Sequence, residues 1–254
     1  PRRTYNGWLM TENAAEKVKP YAEEGSKKEQ VAQMFDNISG RYDLLNHVLS
    51  LNIDKLWRKK AVKLLSPYKP TIILDVATGT GDFAVELMSL KPSEIKGIDI
   101  SAGMLEVGKI KMRKRALDKV IELKLGDAEN IEFPDNHFEA VTVAFGVRNF
   151  ENLKAGLGEI KRVLKPGYAV AILEFSKPRT FPMKQLYKIY FKAILPNIGR
   201  LVSKDPRAYT YLPESVSAFP EGKTFLSILD EVGYKKIREY RLTFGIATIY
   251  LAEK

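Results

Sequence analysis

Between Ile72 and Glu174 the chain alternates short apolar runs with amphipathic ones, and this alternation restricts its fold more than any other feature. Strand-like runs stand at Ile72–Ala77, Ile95–Ile100, Ile121–Leu125, Ala140–Ala144 and Ala169–Glu174. Runs with helical spacing stand among them, at Asp82–Ser89, Met104–Leu117 and Leu153–Leu164. Such a succession predicts parallel strands joined by crossover helices, a doubly wound α/β sheet. The ending departs from it. Phe225, Ile228, Leu229 and Val232 mark a helix, and two strands, Lys236–Leu242 and Ile246–Ala252, are then joined only by Thr243, Phe244 and Gly245. Strands joined so tightly must be antiparallel. The expected class is α/β, a mostly parallel seven-stranded sheet closed by an antiparallel C-terminal hairpin.

Ahead of the sheet, Ser26 and Glu29 have the spacing of a capping box, and Val31, Met34, Phe35 and Ile38 follow at helical spacing. A second helical stretch is expected around Tyr42–Leu65. Residues 1–26 read as an N-terminal extension and 27–254 as one domain, with 177–224 an insertion rich in Pro, Lys and aromatic residues. The length of 254 residues suits that division. With no cysteine, thiolate metal sites and a Cys nucleophile are excluded, and two histidines are too few for a His-rich metal site, so no metal is expected. The 41 basic against 31 acidic residues give a net charge of +10, which suits nucleic acid, an anionic membrane face or a merely basic surface. No apolar run approaches the ~20 residues of a membrane span, and the expected location is the cytoplasm.

The segment Leu74-Asp75-Val76-Ala77-Thr78-Gly79-Thr80-Gly81-Asp82 ends a strand and opens a helix. Gly79 and Gly81 permit a sharp turn and close approach to a ligand. Their spacing also fits a dinucleotide loop, but Asp75 would oppose a pyrophosphate. S-adenosylmethionine, with a sulfonium and an ammonium, suits the acid better. Asp99 closes the second strand 18 residues after Gly81, near the spacing at which a carboxylate meets ribose hydroxyls. Asp127 and Ala128 follow the third strand; the acid could bind an adenine amino group, or could equally be a turn residue. The hairpin and the loop together indicate a Rossmann-like class I methyltransferase.

Three further motifs carry a resemblance. They are Tyr42-Asp43-Leu44-Leu45-Asn46-His47-Val48-Leu49-Ser50 with Trp57, then Phe145-Gly146-Val147-Arg148-Asn149, then Arg162-Val163-Leu164-Lys165-Pro166-Gly167 through Glu174-Phe175-Ser176. In that order the chain, from about Lys27 to Lys254, resembles the menaquinone and ubiquinone biosynthesis C-methyltransferases. Asp54 stands where that family often has His, Tyr168 where a second Gly is usual, and Ala144 where some members have Ser. The resemblance implies S-adenosyl-L-methionine as cofactor, with Thr80, Asp99, Asp127, Ala128 and Ala144 as contacts; Asp75, Gly79, Gly81 and Met104 complete the expected set. It implies C-methylation of a polyprenyl quinol, demethylmenaquinol to menaquinol, with 2-polyprenyl-6-methoxy-1,4-benzoquinol as the alternative acceptor.

For the acceptor, Arg148 follows the fourth strand at the carboxyl edge, where open α/β sheets bind ligands. It could stabilise a phenolate or hold a water that takes the proton; a loop salt bridge is the other reading. Asn149 could orient the quinol oxygens, and Tyr42, Asp43, Asn46 and His47 could close over the site. In the insertion, Lys184, Lys188 and Lys192 recur every four residues beside Tyr187 and Phe191. That stripe suits peripheral contact with the anionic inner face of the cytoplasmic membrane, or an ordinary helix with a solvated face. An RNA methyltransferase is disfavoured by the missing Cys and by the segment after the fourth strand, so no nucleic-acid partner is expected. An NAD-binding oxidoreductase is disfavoured by Asp75 and the hairpin. A homo-oligomer is compatible with all of this.

Overall fold

Ser26 begins the first long helix as its spacing predicts. Its hydroxyl accepts from the Glu29 N–H at 3.2 Å, and the Glu29 carboxylate accepts from the Ser26 N–H at 3.0 Å. The computed structural model describes residues 14–21, 24–44, 50, 52–190, 205 and 207–254. Its helices are α1 (Ala14–Lys17), α2 (Lys27–Ile38), α3 (Ile53–Leu65), α4 (Asp82–Leu87), α5 (Ala102–Lys114), α6 (Leu153–Val163), α7 (Met183–Ile189), α8 (Arg207–Ala218) and α9 (Lys223–Glu231). Its strands are β1 (Ile72–Val76), β2 (Glu94–Asp99), β3 (Ile121–Leu125), β4 (Phe138–Ala144), β5 (Leu164–Phe175), β6 (Lys235–Leu242) and β7 (Ala247–Glu253).

The seven strands form one sheet in the order β3-β2-β1-β4-β5-β7-β6. β1 to β5 are parallel, and β7 runs antiparallel to both β5 and β6. This is the expected fold class. The insertion of β7 between β5 and β6 is a long-range pairing that no local pattern foretells. Boundaries shift where turns intervene. The second helical stretch resolves into a helical start at Tyr42 and a separate α3, preceded by Asn52 in the left-handed region at φ 60°. β5 begins at Leu164, earlier than its apolar run, because Leu164 pairs with Phe138 before the register shifts.

Side chains alternate across the sheet, so the core lies in two layers. On one face Leu74, Val76, Val141 and Val143 pack with Leu157, Ile160, Phe225 and Leu229 of α6 and α9. On the other, Ile73, Ile95 and Ala171 pack with Trp57, Leu65, Phe83, Leu105 and Met112 of α3, α4 and α5. A third cluster joins Val31 and Met34 of α2 to Ala208, Tyr209 and Tyr211 of α8. β1 pairs β2 on one side and β4 on the other. The chain order therefore reverses there, and the crevice at a switch point is where such sheets bind ligands.

Candidate active site

Two adjoining cavities meet at this carboxyl edge. The first is lined by Ala77 and Gly79 from the loop after β1, and by Asp99, Ile100 and Met104 around the end of β2. Gly126, Asp127, Ala128 and Glu129 follow β3, and Ala144 to Gly146 with Asn149, Phe150 and Glu151 follow β4. α2 supplies Lys28, Val31 and Phe35, and Tyr42 comes from the segment after it. Gly79 has φ +57°, and a Cβ there would stand 3.3 Å from Met104 Cε, so glycine keeps this wall open. The approach of the β1 and β4 loops is closer still, since a Cβ on Gly146 would meet Ala77 Cβ at 2.6 Å.

The charge of this cavity identifies its ligand class. Among the described residues that line it, Asp99, Asp127, Glu129 and Glu151 face a single cation, Lys28. Such a lining repels a diphosphate and suits a cationic ligand, as the sulfonium and ammonium of S-adenosyl-L-methionine require. The Asp99 carboxylate accepts from the Gly79 N–H at 2.7 Å and from the Ser101 N–H at 2.9 Å. Each oxygen keeps acceptor capacity for a ribose hydroxyl. Burial pushes this carboxyl up to about 6, against the three backbone N–H groups that favour the anion. Only the anion accepts from both hydroxyls. S-adenosylhomocysteine affinity is therefore expected to be flat above about pH 7, to begin falling near pH 6 and to approach a ten-fold loss per unit below about pH 5. The apo fold carries the opposite linkage, because a raised carboxyl is favoured protonated: its contribution is fully present below the ordinary carboxylate range and is lost as pH rises through 6. Calorimetric titrations from pH 5 to 8 read the first effect, and a pH-independent affinity would remove Asp99 from the ribose.

Several expected contacts lie elsewhere. Asp75 does not line the cavity; it is fully buried under the loop. Thr78 and Thr142 hydroxyls each donate to it at 2.6 Å, and burial pushes its carboxyl up to about 6. In this geometry it ties β1 to β4 beneath the ligand. Thr80 also points away from the cavity. Its hydroxyl lies 2.5 Å from Asp43 and 2.9 Å from Lys111, and Lys111 also bonds Asp82 at 2.7 Å. Gly81, at φ +81°, packs on Met112 and Leu123, which a Cβ would crowd at 2.8 and 3.6 Å. Asp127 lines the cavity but is paired with Lys28 and accepts from the Glu129 N–H at 2.9 Å. Met104, Ala128 and Ala144 line it as expected.

α2 roofs this cavity; closure from the N-terminal helices is expected from the sequence, but not through these residues of α2. Asp36 accepts from the Ser101 hydroxyl at 2.6 Å and the Gly103 N–H at 2.8 Å, fastening α2 to the start of α5. Lys27 is buried, and its ammonium donates to the carbonyls of Arg148 at 3.0 Å and Phe150 at 2.9 Å. Burial lowers its pKa to about 8, opposed by Glu16, Glu129 and Glu151. Lys27 thus ties the roof to the turn that carries Arg148 and Asn149. A Ser-led helix start was legible, but a lysine at its first turn carries no sign of burial.

The second cavity, of about 310 Å³, shares Phe35, Tyr42 and Phe145 with the first. Phe145 holds φ +57°, a strained conformation for a bulky residue, at the wall between them. Aromatic and aliphatic residues of α2, α3, α7 and α8 make most of the lining, including Met34, Trp57, Leu186, Tyr209 and Tyr211, and Phe175 at the end of β5 joins them. Arg148 reaches this cavity. Its guanidinium pairs with the fully buried Glu174 at 2.9 Å and donates to the Phe145 carbonyl. Burial raises the Glu174 pKa, and Arg148 opposes the rise. Asn149 lies on the cofactor side, and its Oδ1 accepts from the Tyr211 hydroxyl at 3.1 Å. Tyr42 lines both cavities, with its ring edge-on to Phe35 at 5.9 Å. Asn46 and His47 lie outside the described residues.

Comparison with known proteins agrees with this geometry. A sequence model of the ubiE/COQ5 methyltransferase family matches residues 23–254. A demethylmenaquinone methyltransferase of Bacteroides fragilis is 50% identical over 94% of this chain and 98% of its own. A ubiquinone/menaquinone biosynthesis C-methyltransferase of Geotalea daltonii is 46% identical over 90% and 97%. Among solved structures, a protein of Methanococcus maripaludis described as an S-adenosyl-L-methionine-dependent methyltransferase superposes with a TM-score of 0.57. It is 19% identical and covers 92% of this chain and 97% of its own, a likeness of fold.

Proposed function

The chain belongs to the ubiE/COQ5 methyltransferase family, and on that premise we propose that it C-methylates a polyprenyl quinol, converting demethylmenaquinol to menaquinol. The observation that carries this reading is the pairing of an acidic cofactor cavity with an apolar, aromatic one across Phe145, the latter holding the buried Arg148. A quinol ring and the start of its prenyl chain need such walls, whereas a nucleic-acid acceptor would need a basic, open groove.

S-adenosyl-L-methionine, when bound, supplies an electrophilic methyl group on a sulfonium. Asp99 holds the ribose, and Gly79 with Ala128 and Ala144 leaves room for the ligand body. On the acceptor side, the Arg148 guanidinium stabilises a phenolate oxygen, so the hydroxyl proton passes more readily to water and electron density rises at the ortho carbon, which gives up its own proton to water once it carries the methyl group. The Tyr211 hydroxyl engages Asn149 Oδ1, which leaves the amide hydrogens as the donors that orient a quinol oxygen. Tyr42 and Phe35 shield the junction from water. The test is incorporation of a labelled methyl group into demethylmenaquinol, with a methoxy-benzoquinol offered in parallel. Label in neither quinol overturns the reading.

The acceptor's ring reaches the enzyme from a bilayer, and α7 borders the acceptor cavity. No described helix is long and apolar enough to cross a membrane. Tyr187, expected at the lipid headgroups, instead lines the cavity, because it falls on the inner face of α7. The exposed apolar residues there are Phe181, Leu186 and Ile189, beside exposed Lys184 and Lys188; Phe191 and Lys192 lie outside the described residues. Each lysine near an anionic surface contributes about 1 kcal/mol. Changing Lys184, Lys188 and Lys192 together to glutamine is expected to reduce salt-sensitive binding to anionic vesicles and to leave turnover of a short-chain quinol intact. Co-sedimentation at low and high salt measures this; equal binding would make the stripe a solvated face.

A further inference from the structure

The acceptor cavity contains a second guanidinium–carboxylate pair to which the proposed reaction assigns no role. Asp54 and Arg58 stand one turn apart on α3 and form a salt bridge, with side chains only 4% and 9% exposed. Both line the cavity. Asp54 is held on its other oxygen by the Ser50 hydroxyl at 2.6 Å. Arg58 Cζ stands 5.9 Å from the centroid of Phe145, and Arg148 Cζ stands 5.6 Å from that of Phe175. Those two rings stack at 4.4 Å, so each guanidinium sits on one member of a single aromatic pair.

Stability gives little reason for this arrangement. Desolvating an ion pair in an apolar cavity offsets most of its attraction, and apolar side chains of similar volume serve the fold as well or better. Arg58 Nε is moreover buried with no hydrogen-bond partner, as is Arg148 Nε. Buried donors left in that state are rare and call for a local reason. A ligand with two separated oxygens supplies one. A quinol carries its oxygens at opposite ends of the ring, and Arg148 addresses one of them.

Resting on the quinol reading above, we propose that Arg58 binds the second ring oxygen of the acceptor and that Asp54 is its positioning residue. The two guanidinium groups then hold the ring by both ends and turn its free ortho carbon towards the cofactor cavity.

The test is steady-state kinetics of the full chain on a short-chain demethylmenaquinol and on the matching naphthol that lacks the second hydroxyl. The double variant Asp54→Asn/Arg58→Met removes both charges at similar volume and keeps an acceptor for the Ser50 hydroxyl. It is expected to keep its thermal midpoint and S-adenosylhomocysteine affinity while KM for the quinol rises about ten-fold or more, as loss of a charge-assisted bond implies. KM for the naphthol should not change, and Arg58→Lys should recover part of the quinol affinity. An unchanged quinol KM, or an equal rise for both acceptors, overturns the assignment while the wild type still methylates quinols. A wild type inactive on every quinol overturns the functional reading itself, and this assignment with it.

Discussion

Arg148→Ala is expected to abolish methyl transfer while cofactor binding persists, and to destabilise the fold at the same time. Glu174 is fully buried, and Arg148 is the cation paired with it at 2.9 Å. Removing one member of such a pair costs about 3–5 kcal/mol, because the other charge stays behind without compensation. Loss of a group aimed at developing negative charge costs about 10²–10³ in kcat. The two effects separate in the double variant Arg148→Met/Glu174→Gln, which removes both charges of the pair. Its thermal midpoint should recover most of the loss, and its turnover should not. The cofactor cavity should be affected little, since Lys27 holds the turn by the backbone carbonyls of Arg148 and Phe150 and not by the guanidinium. Survival of turnover within a few-fold of wild type would reduce Arg148 to a structural ion pair.

The second large effect is expected at Asp99. Asp99→Ala removes the acceptor for two ribose hydroxyls and frees the Gly79 and Ser101 N–H groups that the carboxylate now satisfies. A pair of orphaned bonds costs about 2–4 kcal/mol, so S-adenosylhomocysteine affinity should fall by about 30- to 1000-fold. Asp99→Asn keeps one acceptor oxygen and should lose less, and its affinity should no longer change near pH 6. Calorimetry on the three proteins decides the matter; equal affinities would place the ribose elsewhere.

Contiguous residues with a local task were legible. The capping box at Ser26 and Glu29 and the turn at Gly79 act through their own stretch of backbone; Asp99 closes β2 as its position suggests, although one of its partners, the Gly79 N–H, lies 20 residues away. Partners were not legible. Asp75 reads as a ligand for a cation, yet two threonine hydroxyls hold it, one from the loop after β1 and one from β4. Thr80 reads as a cofactor contact, yet its hydroxyl lies against Asp43 and Lys111. Asp127 reads as an adenine contact or equally as a turn residue; its carboxylate does accept from the Glu129 N–H within its turn, and Lys28 of α2 also reaches it, from 99 residues away. Glu174 reads only as the end of a strand within a motif, and Tyr211 falls in the insertion with no element assigned, although one holds Arg148 and the other Asn149.

The division has a physical origin. By itself the sequence determined the class of fold, the hand-over from parallel to antiparallel strands, and the backbone cradle at the carboxyl edge. Each follows from periodicity, from turn chemistry or from glycine's freedom at positive φ, all properties of neighbours along the chain. The tertiary structure alone decided that β7 enters between β5 and β6, that α2 roofs the cofactor cavity, and that α3, α7 and α8 enclose an apolar cavity beside it. Those outcomes depend on which side chains meet across the fold, and a side chain's direction is set by the packing of elements far apart in sequence.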